Sequence, residues 1–94
     1  YLYLLESSLH SILKDFDPDF VFYQCGVDII DTDKIGKLKV SKEGARKRDI
    51  LVFDTVKQLD VPVVCSMGGG YSPKIADIVD AHANTFRMAQ TILC

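Results

Sequence analysis

Apolar residues along the chain recur in two patterns, one typical of helices and the other of buried strands. At helical spacing they line one face of three segments, which predicts helices at residues 2–14, 42–58 and 73–90. Between these segments lie two short runs rich in aromatic or β-branched residues, FVFYQC at 20–25 and VPVVC at 61–65. Such runs predict buried strands, so the expected order is helix, strand, helix, strand, helix.

Each predicted helix has one apolar face that should be buried. These faces are Leu2, Leu5, Leu9, Ile12 and Leu13 in the first helix, Ala45, Val52, Val56 and Leu59 in the second, and Ile75, Val79, Ala83 and Phe86 in the third. Ser41 is the predicted N-cap of the second helix. Ser72 and Pro73 take the N-cap and first-turn positions of the third. The first helix should end near Pro18, because the residue before a proline avoids the helical region.

Helices that alternate with short apolar strands are typical of an open α/β sheet. Both strands are apolar throughout, as strands covered on both faces are. The second helix is long enough to cross over between parallel neighbours. In such a parallel β-α-β unit, the loops that leave the carboxyl ends of the strands lie side by side and bind ligands. The sequence thus predicts that residues 26–40 and 66–72 form two walls of one site.

Composition mainly excludes other classes of protein. The 94 residues are 48% hydrophobic and 26% charged, so a folded core is expected. A net charge of −2 gives no footprint for nucleic acid. The basic residues between 34 and 48 interleave with acidic ones and are interpreted as a solvated loop and helix face. No apolar run has the length of a membrane span, so neither a nucleic-acid nor a membrane partner is expected.

The cysteines and the start of the chain add two expectations. Cys25, Cys65 and Cys94 are too few and too widely spaced for a disulfide framework or a zinc knuckle, so reduced thiols in a cytoplasmic compartment are expected. Cys25 and Cys65 should act as small buried apolar side chains. Because Tyr1 replaces an initiator methionine and already lies in a helical pattern, we interpret residues 1–94 as a piece of a longer protein.

The two predicted walls contain residues that could carry chemistry. The first wall has three aspartates, of which Asp28 should bond local backbone N–H groups. Asp31 and Asp33 lie further out, where a carboxylate could reach across the site to hold a metal or act as a base. The second wall has three glycines followed by Tyr71, whose phenol could donate a hydrogen bond to a developing oxyanion. A structural aspartate and a simple glycine turn remain the alternatives.

In combination, PDFVFYQCGVDIIDTDKIGKLKVS and VPVVCSMGGGYS resemble the C-terminal part of the histone deacetylase superfamily, over about residues 16–90. Bacterial acetoin-utilisation-type and class IV-like eukaryotic deacetylases are the most similar members. The resemblance implies that residues 1–94 are the C-terminal part of a single α/β domain with an open three-layer sheet of the arginase-deacetylase type. It also implies a catalytic zinc and hydrolysis of acetyl-lysine or related acyl-amide bonds.

The resemblance also implies roles for individual residues. Asp33 matches the zinc-ligating aspartate of the family's Gly-Asp-Arg-Leu-Gly stretch, which is TDKIG here, so the residues on either side of Asp33 differ from the family's. Tyr71 matches the catalytic tyrosine that polarises the scissile carbonyl. Gly69 and Gly70 would line the acyl-lysine channel. The substrate would be an acyl-lysine protein or a small acylated amine, and the parent protein could form a homo-oligomer in the cytoplasm or nucleus.

Part of the family's catalytic set has no counterpart in this sequence. A catalytic zinc needs about three protein ligands, and the family's other aspartate and histidine ligands and its tandem histidines come from an earlier segment. His10 and His82 fall in predicted helices away from the loops and should be structural or solvent-facing. The chain alone should therefore bind zinc weakly and be inactive. A non-catalytic interaction module, or an anion- or phosphate-binding domain that uses Gly68–Gly70, stays open at this point.

Overall fold

The computed structural model describes residues 1–94 as three helices and a two-stranded parallel sheet. The elements are α1 (Leu2–Phe16), β1 (Val21–Gln24), α2 (Lys42–Gln58), β2 (Val63–Ser66) and α3 (Ile75–Leu93). Val21 lies opposite Val63, and the register continues to the pair formed by Gln24 and Ser66. The predicted α/β class and the parallel β-α-β unit with flanking helices are confirmed.

The ends of α1 and α2 follow the sequence closely. Ser41 has extended backbone geometry, and its Oγ accepts a hydrogen bond of 2.9 Å from the N–H of Gly44. This bond satisfies a first-turn donor that has no partner within the helix. At the end of α1, Asp17 adopts a left-handed conformation with φ of 52°. The predicted cap of α2 is confirmed, and α1 stops just before Pro18.

The predicted cap of α3 is wrong, although the helix starts within two residues of the predicted position. The helix begins at Ile75, with Lys74 at the N-cap position and no side-chain cap bond. Ser72 is buried instead, and its Oγ lies 2.7 Å from Oγ1 of Thr32 in the first loop. Its hydroxyl therefore joins the two loops, which removes it from the role of a helix cap.

The core lies between α2, α3 and the first loop. Its buried apolar residues are Cys25, Val27, Ile30, Ala45, Val52, Phe53, Val56 and Ala81. The predicted face of α2 is buried except for Leu59, which is half-buried. The predicted apolar face of α1 is only partly covered, since that helix has no buried residue. Cys25 is buried as predicted, whereas Cys65 is only half-buried.

The apolar face predicted for α3 is not the face that packs. Ile75 is 76% exposed, and Val79 and Phe86 are exposed as well. The buried residues of α3 are Ala81 and Thr85. Thr85 donates a hydrogen bond of 2.6 Å to Oδ2 of Asp49 in α2, and Ala81 is small enough for the two helices to approach closely. Contacts with α2 therefore set the rotation of α3, although a more apolar stripe is available.

The sheet is covered on one face only, which corrects the prediction of strands buried on both sides. Side chains alternate between half-buried and exposed along both strands. Tyr23 packs edge-on against Phe53 of α2, with ring centroids 5.8 Å apart. Phe22, on the other face, is 81% exposed, and Val64 is exposed too. No helix of the chain combines the length and the apolar run needed to cross a membrane.

Candidate functional site

The loops that follow the two strands lie side by side, as the parallel topology predicts. The first loop comprises residues 25–40, and the glycine loop comprises residues 67–73. The bonding between the strands continues into these loops, through Cys25 N to Ser66 O at 2.9 Å, Val27 N to Gly68 O at 3.0 Å, and Lys34 N to Tyr71 O at 3.2 Å. Main-chain bonds therefore hold the two predicted walls together as one surface.

Asp33 is the residue that joins the two walls most directly. It is only 3% exposed, and its carboxylate accepts three backbone N–H bonds. Within its own loop, Oδ2 accepts from Ile35 at 3.0 Å and from Gly36 at 2.7 Å. Across the site, Oδ1 accepts from the N–H of Tyr71 at 2.9 Å. Asp31 is exposed, so of the two outer aspartates only Asp33 belongs to this junction.

These hydrogen bonds keep Asp33 ionised. The N–H of Gly36 has the largest effect on the pKa of Asp33 and lowers it, and the N–H of Tyr71 acts in the same direction. An ionised carboxylate has about four acceptor directions, and three are used here. The remaining direction lies on Oδ1, which accepts one bond only. Asp33 can therefore offer one more interaction to a cation or a hydrogen-bond donor.

Gly36 is a residue of the site that the sequence analysis missed. A Cβ at Gly36 would lie 1.8 Å from the carbonyl oxygen of Asp28 and 3.2 Å from Oδ2 of Asp33. Only a glycine lets the first loop close around the carboxylate. The available signal was a glycine three residues after an aspartate, since that spacing allows the backbone to turn back onto the side chain.

The glycine loop packs against other parts of the chain where side chains at Gly69 and Gly70 would not fit. Gly69 and Gly70 have φ of 71° and 109°, which side chains other than glycine rarely adopt. A Cβ at Gly69 would lie 2.9 Å from the backbone nitrogen of Asp28. At Gly70 it would lie 3.0 Å from Cγ2 of Ile78 in α3. The two glycines thus let the loop fit between the first loop and α3, and their expected part in a substrate channel stays a prediction.

Tyr71 projects from this junction. Its backbone N–H bonds to Asp33 and its carbonyl accepts from Lys34, while its side chain is 56% exposed. The main chain of Tyr71 is thus fixed while its phenol remains accessible. This arrangement does not fit the alternative of a tyrosine packed onto the following helix.

His82 lies closer to the site than the sequence analysis expected. Its Nε2 is 3.9 Å from the position that a Cβ would take at Gly70, and its Nδ1 is buried without a hydrogen-bond partner. The expectation that His82 lies away from the loops is therefore wrong, because α3 runs back beneath the loop from which it starts. His10 is exposed on α1.

A pair of charged residues behind the loops was also missed. Arg48 is 5% exposed and Asp49 is 1% exposed, so the interpretation of this stretch as a solvated face is wrong for Arg48. Both residues fall on the same side of α2 as Ala45 and Val52, which is the signal that helical spacing offered.

Burial raises the pKa of Tyr23 well above its ordinary range, and the hydrogen bond from Tyr23 to Asp49 adds to the shift. The phenol of Tyr23 therefore stays protonated and donates that hydrogen bond.

A cavity of about 380 Å³ lies beside the glycine loop and reaches Gly69, but it does not reach the candidate metal ligand or the candidate catalytic tyrosine. Its lining includes Gly26, Asp28, Arg48, Gly68 and Gly69. Neither Asp33 nor Tyr71 lines it, so these two residues meet at the junction of the loops and outside the cavity.

The residues present do not make a complete metal centre. No group of three or more His, Cys, Asp or Glu side chains is close enough together to hold a metal ion. Asp33 has the charge and the free acceptor direction of a ligand, but a zinc site of the catalytic type needs about three protein ligands. No reaction step through zinc can be derived from this chain alone.

Sequence comparison supplies the family. A sequence model of the histone deacetylase domain matches residues 1–86. The chain belongs to the histone deacetylase family. The resemblance seen in the two loop sequences is therefore confirmed, and it extends through α1.

Individual proteins also align over most of this chain. An uncharacterized protein of Picosynechococcus sp. is 38% identical over 92 residues, which cover 98% of this chain and 31% of that protein. Histone deacetylase 2 of Arabidopsis thaliana is 35% identical over 79 residues, covering 84% of this chain and 20% of that protein. Histone deacetylase clr6 of Schizosaccharomyces pombe is 34% identical over 61 residues, covering 65% and 14% respectively. The chain thus spans less than a third of each of these relatives.

Proposed function

We propose that this chain is the part of a zinc-dependent deacylase that supplies one zinc ligand, Asp33, and the oxyanion-stabilising phenol, Tyr71. One observation carries the proposal, namely the 2.9 Å bond from the N–H of Tyr71 to Oδ1 of Asp33. This bond couples the two family-matched residues within the chain, although they lie on different loops. Membership of the histone deacetylase family supports the reaction class.

Asp33 is suited to hold a metal in this proposal. Ligating carboxylates must be deprotonated, and the hydrogen bonds that lower the pKa of Asp33 keep it so. Three N–H donors also fix the orientation of the carboxylate, as hydrogen-bonded neighbours of metal ligands do. When bound, zinc supplies Lewis-acid polarisation of the acyl carbonyl. The remaining ligands and the general acid-base groups are expected outside residues 1–94.

Tyr71 has the role of a hydrogen-bond donor to developing negative charge. Hydrolysis of an acyl amide passes through a tetrahedral intermediate whose oxygen becomes anionic, and a donor fixed in advance stabilises that charge. The backbone of Tyr71 is fixed from both sides, and its phenol is accessible to a substrate. Acyl-lysine side chains and small acylated amines are the substrates of matching chemistry, with Gly69 and Gly70 beside their path.

An anion-binding function has less support from the geometry. A phosphate at the glycine loop would meet the carboxylate of Asp33, which already accepts the N–H of Tyr71, and the neighbouring Asp28. Two carboxylates beside the loop oppose the binding of an anion. The loop also continues for several residues before α3 begins at Ile75, so the helix N-terminus is not presented directly by the glycines.

The proposal is tested by comparing the full-length protein that contains this segment with the 94-residue chain. The full-length protein should contain about one zinc per molecule and release acetate from an acetyl-lysine peptide. The isolated chain should bind zinc weakly and release none, because one carboxylate does not replace a set of three ligands. A full-length protein that binds zinc poorly and lacks deacylase activity would instead support a non-catalytic interaction module.

A further inference from the structure

Arg48 and Asp49 form a buried ion pair that the proposed chemistry does not use. Both residues belong to α2, and both are almost fully removed from solvent. Burying two charges has a large desolvation cost, and apolar residues of similar volume often give equal or greater stability. Net stability alone is therefore a weak explanation for a pair of charges in so small a core, and the contacts of the pair indicate what it does.

Asp49 is held by donors from three elements of the fold. Its Oδ1 accepts from the hydroxyl of Tyr23 in β1 at 2.5 Å and from Nε of Arg48 at 3.0 Å. Its Oδ2 accepts from the hydroxyl of Thr85 in α3 at 2.6 Å. The carboxylate therefore cannot rotate without breaking a bond to β1 or to α3, and it fixes the guanidinium of Arg48 in turn.

The guanidinium extends from this junction to the first loop. Nη1 of Arg48 donates a bond of 2.6 Å to the carbonyl oxygen of Gly26. Nη2 lies 2.9 Å from Oδ1 of Asp49 but makes no directed hydrogen bond, so it adds charge attraction without fixing an angle. Nε and Nη1 are thus the two groups of Arg48 that set the geometry.

The bond to Gly26 acts on a single peptide unit. The same peptide unit carries the N–H of Val27, which donates to the carbonyl oxygen of Gly68 at 3.0 Å. In a trans peptide the C=O and N–H point in opposite directions, so this planar unit lies between Arg48 on one side and the glycine loop on the other. Because Gly26 has no Cβ, its dihedral angles give little resistance to rotation of that plane.

We propose that Arg48 is a positioning residue that sets the glycine loop, and hence Tyr71, relative to Asp33 through the Gly26–Val27 peptide unit. Asp49 holds the guanidinium in the orientation that this requires. The inference rests on the proposed function, in which the phenol of Tyr71 acts on the reacting carbonyl. A displacement of about 1 Å at such a group is enough to lower a rate by up to about a hundredfold.

The test uses the full-length protein and the substitution Arg48→Lys, alone and combined with Tyr71→Phe. Lysine keeps the positive charge but lacks the planar fork that bonds Asp49 and Gly26 together. With an acetyl-lysine peptide as substrate, Arg48→Lys should lower kcat by roughly tenfold to a hundredfold, with KM and zinc content close to the parent's. In the Tyr71→Phe background the same substitution should lower kcat by less than about threefold, because the group that it positions is already gone.

Val56→Ala is the matched control for lost stability. Val56 is a buried residue of the same helix, so its truncation should lower the unfolding temperature. It makes no hydrogen bond to the first loop or the glycine loop. Its kcat should stay within about twofold of the parent's in both backgrounds. If Arg48→Lys does not fold, Asp49→Asn serves in its place, because it loosens the guanidinium while keeping Arg48. Asp49→Asn should likewise lower kcat in the parent protein and have little effect on kcat in the Tyr71→Phe background.

The outcomes separate the inference from the function on which it rests. The positioning role would be overturned if Arg48→Lys lowered kcat equally with and without the hydroxyl of Tyr71. It would also be overturned if Val56→Ala lowered kcat as Arg48→Lys is expected to, with a loss that depends on that hydroxyl. Either result would leave the proposed function standing. If Tyr71→Phe alone keeps near-full activity, the proposed function itself fails, and the positioning role fails with it.

Discussion

The polar groups at the loop end of the molecule find their partners within this chain, whereas several large apolar side chains elsewhere find no cover within it. At the loop end, which comprises residues 25–40 and 67–73, polar groups of both loops are paired across a short distance, and Asp33 alone accepts three N–H bonds. Uncovered apolar residues elsewhere include Phe22 and Val64 of the sheet and Ile75, Val79 and Phe86 of α3, and nothing within residues 1–94 covers these five.

This difference separates two requirements of the fold. Hydrogen bonds are directional and short-ranged, so two adjacent loops can complete them with few residues. Burial of apolar surface needs a second layer of structure, and the elements of this chain leave one face of the two strands uncovered. The candidate site is therefore fixed by short hydrogen bonds between two adjacent loops, whereas this chain alone does not bury all of its apolar surface.

The largest expected effect distinguishes two phenylalanines, one buried and one exposed. Phe53 is fully buried against Tyr23, whereas Phe22 lies on the uncovered face of the sheet. Phe53→Ala should lower the free energy of unfolding by about 3–5 kcal/mol. Phe22→Ala should change it by no more than about 0.5 kcal/mol, as expected for an exposed residue. Urea unfolding of the 94-residue chain measures both, and a large loss at Phe22 would show that the uncovered face is covered in solution.

The next largest effect concerns the loop end and separates its two main residues. In the full-length protein, Tyr71→Phe should lower kcat by roughly a hundredfold to a thousandfold with zinc content intact, the usual cost of one oxyanion donor. Asp33→Asn should lose zinc and activity together, and added zinc should restore part of the rate. Zinc analysis and steady-state kinetics of both variants make the distinction. Loss of zinc by the tyrosine variant, with zinc retained by the asparagine variant, would reverse the roles.

A third substitution tests whether closure of the first loop depends on bare backbone. Gly36→Ala introduces a Cβ that clashes with the carbonyl of Asp28, so it should lower the free energy of unfolding by about 1–3 kcal/mol. Gly44→Ala in the first turn of α2 is the matched control. There the Cβ would lie 2.7 Å from Cγ1 of Val40 and 3.2 Å from Oγ of Ser41, but these are side-chain atoms that can shift more readily than the carbonyl of Asp28, and alanine favours a helix. Equal effects at both positions would remove the argument for Gly36.

The smallest expected effect is a dependence of stability on pH at the loop end. The pKa of Asp33 is lower in the folded chain than its unfolded value of about 3.9, so its ionised form stabilises the fold at higher pH. That contribution is lost as the pH falls below about 4 and through the folded pKa. Between these pH values the stability of the unaltered chain should fall more steeply than that of Asp33→Asn, whose amide does not titrate. Parallel profiles from urea unfolding would contradict this.

Local signals explain which parts of the fold were predictable. The N-cap at Ser41 and the end of α1 before Pro18 depend on neighbouring residues only, and both follow the sequence. The parallel pairing of the strands also follows, because the connecting helix allows it. Ser72 has an equally good capping residue type, but a partner forty residues away, Thr32, bonds its hydroxyl instead.

The sequence by itself determined the elements, their order and the two loops that carry Asp33 and Tyr71, because periodicity, caps and glycines act over a few residues. Only the tertiary structure decided that α3 packs through Ala81 and Thr85, and that Arg48 bonds the carbonyl of Gly26. Helical spacing identifies a face but not its neighbour. A charged side chain is buried only where distant elements bring it donors and acceptors, and the sequence does not show those distances.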